Sequence, residues 1–340
     1  MKLDKENEFI YIWGEHIPGN TGASKRDIMG CDDTITMEDI FTKYPGVWDK
    51  STDVLGEMIG NDMLVWRGEI RDGYAGETYS DRPFLVPYLV EGSDKCVVAC
   101  PGGAYLSKSM DSEGEDIAAF LNAAGISCFV LWYRTYPNHA PYMFLDCQRA
   151  VRFVRFHAAE YGINPAKIAT LGFSAGGNLA GVEALCFGDS PVCEEGYEPD
   201  AVDACDGRPN AVGLCYPAVS LEDDKALACI AGVEVYNDKE KRIRFAEQYD
   251  MRTHVTPESA PMFLCNCMDD DVLPPLRLAE LAAACKKQEV MCELHIFPYG
   301  GHGFGGCVEH PAPGPFPKPD YSAVRQWREL FVSWLNRTFA

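Results

Sequence analysis

Short apolar runs alternate with longer amphipathic stretches along most of the chain. The apolar runs predict β-strands at residues 96–100, 168–171, 261–267 and 291–297. The amphipathic stretches predict helices at residues 113–124, 142–161, 175–186, 276–287 and 322–338. Regular alternation of strand and helix is typical of an α/β fold. We therefore expect a mainly parallel, twisted sheet flanked by helices on both faces.

One of these strand-to-helix junctions carries a serine between two glycines. The predicted strand 168–171 leads into Gly172-Phe173-Ser174-Ala175-Gly176, and the predicted helix follows at once. A serine hydroxyl is a poor nucleophile unless a sharp turn presents it at the start of a helix. Glycines two positions to either side leave room for that turn. The pattern predicts that Ser174 is a nucleophile.

A glycine turn follows the predicted strand 96–100, in the segment Pro101-Gly102-Gly103-Ala104-Tyr105. Acyl transfer passes through a negatively charged oxygen, which preorganised backbone N–H groups can stabilise. We assign the amides of Gly103 and Ala104 to this oxyanion hole, together with that of Ala175. The ring of Tyr105 is expected to border the acyl pocket, which makes it a candidate substrate-binding residue.

An acid and a base follow the last two predicted strands. Strand 261–267 leads to Asp269, Asp270 and Asp271, and strand 291–297 leads to His302 in a glycine-rich loop. The histidine would accept the serine proton, and one carboxylate would orient the imidazole. Asp269 is nearest the strand end and is preferred, with Asp270 as the alternative. The chain order Ser, Asp, His is that of α/β-hydrolases.

Several motifs match a known superfamily between residues 84 and 335. They lie at residues 101–105, 132–134, 141–142, 146, 150–152, 161–168, 172–176, 214–217, 269–272 and 301–304. In these motifs the chain resembles α/β-hydrolases of the esterase and lipase superfamily. It is similar to small bacterial esterases related to acetylxylan and feruloyl esterases, and to the catalytic domain of prolyl oligopeptidases.

This resemblance implies an α/β-hydrolase fold and favours the first aspartate of Asp-Asp-x-Val, Asp269, as the acid. Many relatives carry His-Gly-Gly-Gly where this chain has Pro-Gly-Gly-Ala, so the methyl group of Ala104 is expected to narrow the oxyanion site. The implied enzyme is a serine carboxylesterase that needs no cofactor. The implied acyl group is short, with acetyl preferred, and a sugar is the candidate alcohol.

Two alternatives remain. One is a serine peptidase of the prolyl oligopeptidase type, although the residues before Pro101 are too few for the β-propeller that such enzymes usually carry. The other is a non-catalytic binding protein with a hydrolase fold.

Composition limits the partners of the protein. The chain has 340 residues, 47% of them hydrophobic, and a formal net charge of −21. This acidity disfavours nucleic acids and anionic membranes as partners, because both are bound through basic residues. We expect a small-molecule or oligosaccharide ester as the substrate and neither nucleic acid nor a membrane as a partner, and the oligomeric state is left open.

Domain organisation and compartment follow from the same composition. Residues 61–340 can form one catalytic domain, and the scattered aromatic residues of 1–60 predict an extension packed on it. Many of the 15 cysteines stand singly in apolar strands, which indicates small core residues and neither disulfides nor metal ligands. The start of the chain shows no apolar signal core, so a cytoplasmic location is expected.

Overall fold

The computed structural model describes residues 9–20, 82–106, 108–136, 138–221, 226–309 and 320–340. Its core is an eight-stranded sheet in the order β1-β2-β4-β3-β5-β6-β7-β8. The strands are β1 (Ile10–Tyr11), β2 (Phe84–Tyr88), β3 (Cys96–Cys100), β4 (Ser127–Trp132), β5 (Ile168–Phe173), β6 (Ala211–Cys215), β7 (Met262–Cys267) and β8 (Cys292–Phe297). The pairs β1/β2 and β2/β4 are antiparallel, and every other pair is parallel. The predicted α/β fold is confirmed.

Helices cover both faces of this sheet. The helices are α1 (Asp116–Ala123), α2 (Tyr142–Phe156), α3 (Ser174–Val182), α4 (Leu227–Ala231), α5 (Val233–Asn237), α6 (Lys239–Gln248), α7 (Met251–His254), α8 (Leu276–Lys287) and α9 (Trp327–Thr338). Apolar side chains of α1 and α9 pack on one face, and those of α2, α3 and α8 pack on the other. Within the described ranges, each helix is too short or too polar to cross a lipid bilayer.

The central strands are apolar on both faces because both faces are covered. In β3, Cys96, Val98 and Cys100 face one hydrophobic cluster, while Val97 and Ala99 face the other. Among the cysteines in apolar strands, Cys292 is half-buried, and the buried ones are Cys96, Cys100, Cys128, Cys215 and Cys265. Cysteine is favoured at such positions because it behaves as a small apolar residue.

The N-terminal residues that the structure describes add an edge to the sheet. Strand β1 pairs with β2, and the indole nitrogen of Trp13 donates to Asp146 Oδ1 at 2.8 Å. The extension predicted over 1–60 lies outside the described residues apart from 9–20. The described residues between β6 and β7 include the four short helices α4 to α7.

A buried ion pair ties this N-terminal segment to the core. The guanidinium of Arg134, just after β4, donates to both carboxylate oxygens of Asp146, at 2.9 and 2.7 Å. Both side chains are fully buried. Arg134 also donates to the carbonyl oxygen of Pro18, so one guanidinium joins the segment 9–20 to helix α2.

Asp146→Asn should lower the free energy of unfolding by about 3 to 5 kcal/mol, because it leaves the Arg134 charge buried without a counter-charge. The matched control is Asp94→Asn, which breaks a pair to Lys167 at 2.8 Å whose aspartate is 53% exposed. That change should lower the free energy of unfolding by about 1 kcal/mol or less. Urea unfolding followed by circular dichroism measures both, and similar effects would contradict the assigned importance of the buried pair.

Candidate active site

Ser174 stands at a sharp turn between β5 and α3. Its φ is +51°, a left-handed value that is rare for a residue with a Cβ atom. A Cβ atom at Gly172 would lie 2.1 Å from the Gly176 carbonyl oxygen, and one at Gly176 would lie 2.0 Å from the Cys100 carbonyl oxygen. The backbone therefore closes so tightly here that only glycine fits at either side of the serine.

The side chains of Ser174, His302 and Asp270 form a chain of hydrogen bonds. Ser174 Oγ lies 2.9 Å from His302 Nε2, and His302 Nδ1 lies 2.9 Å from Asp270 Oδ2. A carboxylate only accepts hydrogen bonds, so Nδ1 donates to it and Nε2 is left to accept the serine proton. The Asp270 side chain is fully buried, and the His302 side chain is 19% exposed.

The preference for Asp269 as the partner of the histidine is wrong. The Asp269 side chain is exposed and accepts the backbone N–H groups of Gly301, at 2.9 Å, and Gly300, at 3.2 Å. Asp270, the alternative, turns inward, and its second oxygen accepts the amides of Val272 and Leu273 at 3.0 and 2.8 Å. Asp269 thus fastens the loop that carries the histidine, while Asp270 contacts the imidazole.

The loop after β3 lies beside the serine turn, because Cys100 at the end of β3 pairs with Gly172 in β5. The backbone of Gly103 and Ala104 is left-handed, with φ of 136° and 54°. Ala175 is in the first turn of α3, where an amide has no acceptor within the helix. The three amides assigned to the oxyanion hole therefore come from two neighbouring elements, and their catalytic role remains a prediction.

The expectation that Tyr105 contacts substrate is wrong. Its ring is fully buried in the core, and its hydroxyl donates to Asn178 Oδ1 at 2.6 Å. The cause is the backbone, because the φ of Tyr105 is 59° and the turn directs the side chain beneath the loop. The side chain therefore supports the loop from inside and has no exposed surface to offer a substrate.

Two buried polar residues behind the serine, Glu113 and Tyr216, were not recognised as functional from the sequence motifs. Glu113 stands at the start of the predicted helix 113–124, and Tyr216 lies in the matching segment 214–217, but the sequence predicts no role for either. The carboxylate of Glu113 accepts the Tyr216 hydroxyl at 2.7 Å and the Gly102 amide at 2.6 Å. One signal was present, since Glu113 stands four residues before Ile117 and eight before Leu121, a helical spacing that continues the buried side of α1 into the turn before it.

Comparison with known families and proteins agrees with this fold. The BD-FAE family model matches residues 84–284. The chain is 32% identical over 227 residues to an acetylxylan esterase from Xylanibacter ruminicola, an alignment that covers 65% of this chain and 43% of that protein. The chain thus spans less than half the length of this curated relative.

Solved structures show the same arrangement of strands and helices. An acetyl ester-xyloside bifunctional hydrolase from Caldicellulosiruptor lactoaceticus superimposes with a TM-score of 0.65 at 32% identity, over 75% of this chain and 88% of that one. The thermophilic esterase Est2 from Thermogutta terrifontis, in a structure with propionate bound, gives a TM-score of 0.58 at 25% identity, over 75% and 89% of the two chains.

Proposed function

The chain belongs to the BD-FAE family, and from this premise we propose that it is a serine carboxylesterase that hydrolyses short acyl esters, with acetyl as the preferred acyl group. The observation that carries the proposal is the hydrogen-bonded series of Ser174, His302 and Asp270, with 2.9 Å at each step. A buried carboxylate, an imidazole and a hydroxyl in this order are the groups that acyl transfer requires.

The reaction proceeds in two halves. Ser174 Oγ attacks the ester carbonyl carbon while His302 Nε2 takes the hydroxyl proton, and the amides of Gly103, Ala104 and Ala175 stabilise the oxyanion. The C–O bond to the alcohol then breaks, and His302 returns the proton to the departing oxygen. A water molecule attacks the acyl-serine while His302 takes its proton. The bond between the acyl carbon and Ser174 Oγ then breaks, His302 returns the proton to Oγ, and the carboxylic acid leaves. Asp270 holds the imidazole in the required tautomer and stabilises the imidazolium.

The proposed substrate class rests on the relatives and, for the length of the acyl chain, on Ala104 in the oxyanion loop. The named activities of the Xylanibacter ruminicola and Caldicellulosiruptor lactoaceticus relatives support an acetylated sugar as the ester. The propionate in the Thermogutta terrifontis structure supports a short acyl group.

The fourteen described cysteines are free thiols, which supports the cytoplasm as the compartment.

The function is tested with purified protein and three substrates: p-nitrophenyl acetate, acetylated xylo-oligosaccharides and a proline p-nitroanilide. We expect nitrophenolate from the first, acetate from the second and no nitroaniline from the third. Cleavage of the anilide without acetate release would replace the esterase with a peptidase. Failure of a fluorophosphonate to label Ser174, together with no hydrolysis, would leave a non-catalytic binding protein.

Acyl chain length gives a quantitative prediction. Each methylene that a roomy apolar pocket buries would contribute about 0.8 kcal/mol, so an enzyme for long chains should improve steadily with length. The Ala104 methyl beside the oxyanion site should reverse this trend. We expect kcat/KM to be highest for the acetate or propionate nitrophenyl ester and at least about tenfold lower for octanoate.

The matched variant for this prediction is Ala104→Gly, which removes the methyl group at a left-handed position that glycine adopts readily. It should reduce the difference between acetate and octanoate. If octanoate were the best substrate of the unaltered protein, the short-acyl proposal would give way to a lipid esterase.

A further inference from the structure

Glu113 is a buried carboxyl group that the proposed reaction does not use. It lies in a π-helical turn, Asp111–Glu115, directly before α1, and it is 3% exposed. Its Oε2 accepts the Gly102 amide at 2.6 Å, and its Oε1 accepts the Tyr216 hydroxyl at 2.7 Å. Each carboxylate oxygen therefore has a donor from a different loop.

The direction of these hydrogen bonds is fixed by chemistry. The Tyr216 oxygen accepts the amide of Gly305 at 2.9 Å, and an amide N–H can only donate. The single phenolic proton of Tyr216 is then directed to Glu113. A continuous series runs from Gly102 in the oxyanion loop, through Glu113 and Tyr216, to Gly305 in the histidine loop.

The ring of Tyr216 also contacts the base. Its centroid lies 4.9 Å from that of His302 in an edge-on arrangement, and 4.4 Å from that of Phe304. Tyr216 follows β6 with a φ of 38°, so its backbone is held in a left-handed conformation. The anchored hydroxyl fixes this ring, and the ring forms a wall against the imidazole.

Gly102 connects the same carboxylate to the other half of the site. A Cβ atom built on Gly102 would lie 2.8 Å from Ser174 Cβ and 3.0 Å from Glu113 Oε2, so the carboxylate sits close behind the nucleophile. Because Glu113 takes the Gly102 amide, that amide is directed away from substrate. The oxyanion role then falls to the amides that follow it, Gly103 and Ala104.

Holding a carboxylate at this depth is unfavourable unless its hydrogen bonds compensate. Burial raises the pKa of Glu113, and the hydrogen bonds from Tyr216 and Gly102 and the charge of His302 act in the opposite direction. An apolar side chain at this position would avoid the cost of burying a carboxylate, yet it could not accept the hydrogen bonds that join the two loops.

We propose that Glu113 is a positioning residue that fixes the oxyanion loop and the histidine loop relative to Ser174, acting through Gly102 on one side and Tyr216 on the other. The inference rests on the proposed esterase function, because it assigns a task to those loops. Misplacement of reacting groups by about 1 Å can lower turnover about 100-fold, so the effect should appear in kcat.

The test uses Glu113→Gln, Tyr216→Phe and the double variant. A glutamine amide nitrogen cannot accept a hydrogen bond, so Glu113→Gln breaks one of the two links, and Tyr216→Phe removes the hydroxyl while keeping the ring. Each single variant should lower kcat for p-nitrophenyl acetate roughly 10- to 100-fold, with KM within about threefold. The kcat of the double variant should be close to that of the single variant with the larger loss, because both changes break the same series of hydrogen bonds.

The matched control is Glu115→Gln, an exposed carboxylate in the same turn, which should leave kcat unchanged. Turnover is measured at a temperature well below the midpoint of thermal unfolding, and the rate is divided by the fraction of protein that a fluorophosphonate labels. Folded Tyr216→Phe with unaltered kcat would overturn the proposal, even if Glu113→Gln failed to fold. Independent, multiplying losses in the double variant would also overturn it.

A second readout does not depend on catalysis. Amide hydrogen exchange, read by mass spectrometry, should become faster in Glu113→Gln within residues 101–106 and 301–307, and remain unchanged in Glu115→Gln. Unchanged exchange in both loops would contradict the positioning role. If the unaltered protein hydrolysed no ester, the proposed function would fail, and this exchange experiment would still decide whether Glu113 orders the two loops.

Discussion

Ser174→Ala is expected to lower kcat for p-nitrophenyl acetate by about 10⁶-fold, equivalent to about 8 kcal/mol of activation free energy. Without Oγ no acyl-serine can form, and the remaining groups can only assist the direct attack of water. Alanine keeps the Cβ atom of serine, so the substitution adds no strain to the backbone at residue 174, whose φ is +51°, and the fold should be retained.

The matched control is Ser333→Ala, which removes an exposed hydroxyl from α9 and should leave turnover unchanged. Circular dichroism and the unfolding midpoint verify that both variants are folded. A fluorophosphonate adduct on the peptide that contains residue 174 should be present in the unaltered protein and absent from Ser174→Ala. If purified Ser174→Ala kept more than about a tenth of the activity, another residue would be the nucleophile.

Asp270→Asn should lower kcat by about 10⁴-fold while KM changes little. Its buried carboxylate accepts the Nδ1 proton of His302, and an asparagine amide at the same place would donate to that nitrogen. The imidazole would then carry its proton on Nε2, where it cannot accept the proton of Ser174. The geometry of the site would remain, with the wrong tautomer.

Two neighbouring aspartates serve as comparisons. Asp271→Asn changes an exposed side chain and should leave kcat unaffected. Asp269→Asn loosens the hydrogen bonds to Gly300 and Gly301, so its effect should lie between the other two. A larger loss in Asp269→Asn than in Asp270→Asn would return the role of the acid to Asp269. Steady-state kinetics on the three purified variants provides the ranking.

The apolar spacing of the chain predicted the strands and helices well because burial on both faces of the sheet dictates it. The helix predicted at 276–287 has those bounds in the structure. The helix predicted at 142–161 ends earlier, at Phe156, because apolar spacing continues after the hydrogen bonding stops. Ala158 still packs on the core from the turn that follows. Spacing reports burial, and helix ends depend on hydrogen bonds that spacing does not record.

The choice between consecutive aspartates lay beyond local reasoning. Both Asp269 and Asp270 follow β7, and proximity to the strand end favoured the first. What decides between them is the amides around them, since Gly300 and Gly301 draw Asp269 outward while Val272 and Leu273 hold Asp270 inward. Those amides come partly from a loop about thirty residues away, so no local pattern in the sequence could rank the two carboxylates.

Backbone conformation is also the reason why the expected contact between Tyr105 and substrate was wrong. Left-handed φ values are expected at glycine, and no residue pattern predicts them at Ala104 and Tyr105. The strain is balanced by burial of the ring and by its hydrogen bond to Asn178, both of which appear only when the chain is folded.

The pairing of β1 with β2 bears on how much of the chain must fold as one unit. The family match begins at residue 84, yet Phe9 stacks on Phe84 at 4.3 Å, and Trp13 shares the Asp146 carboxylate with Arg134. A truncated protein starting at residue 84 would open the outer edge of β2 and uncover this aromatic surface. Open strand edges pair with other chains, so such a fragment should aggregate. The segment that sequence comparison recognises is therefore smaller than the segment that must be expressed to obtain a well-behaved protein.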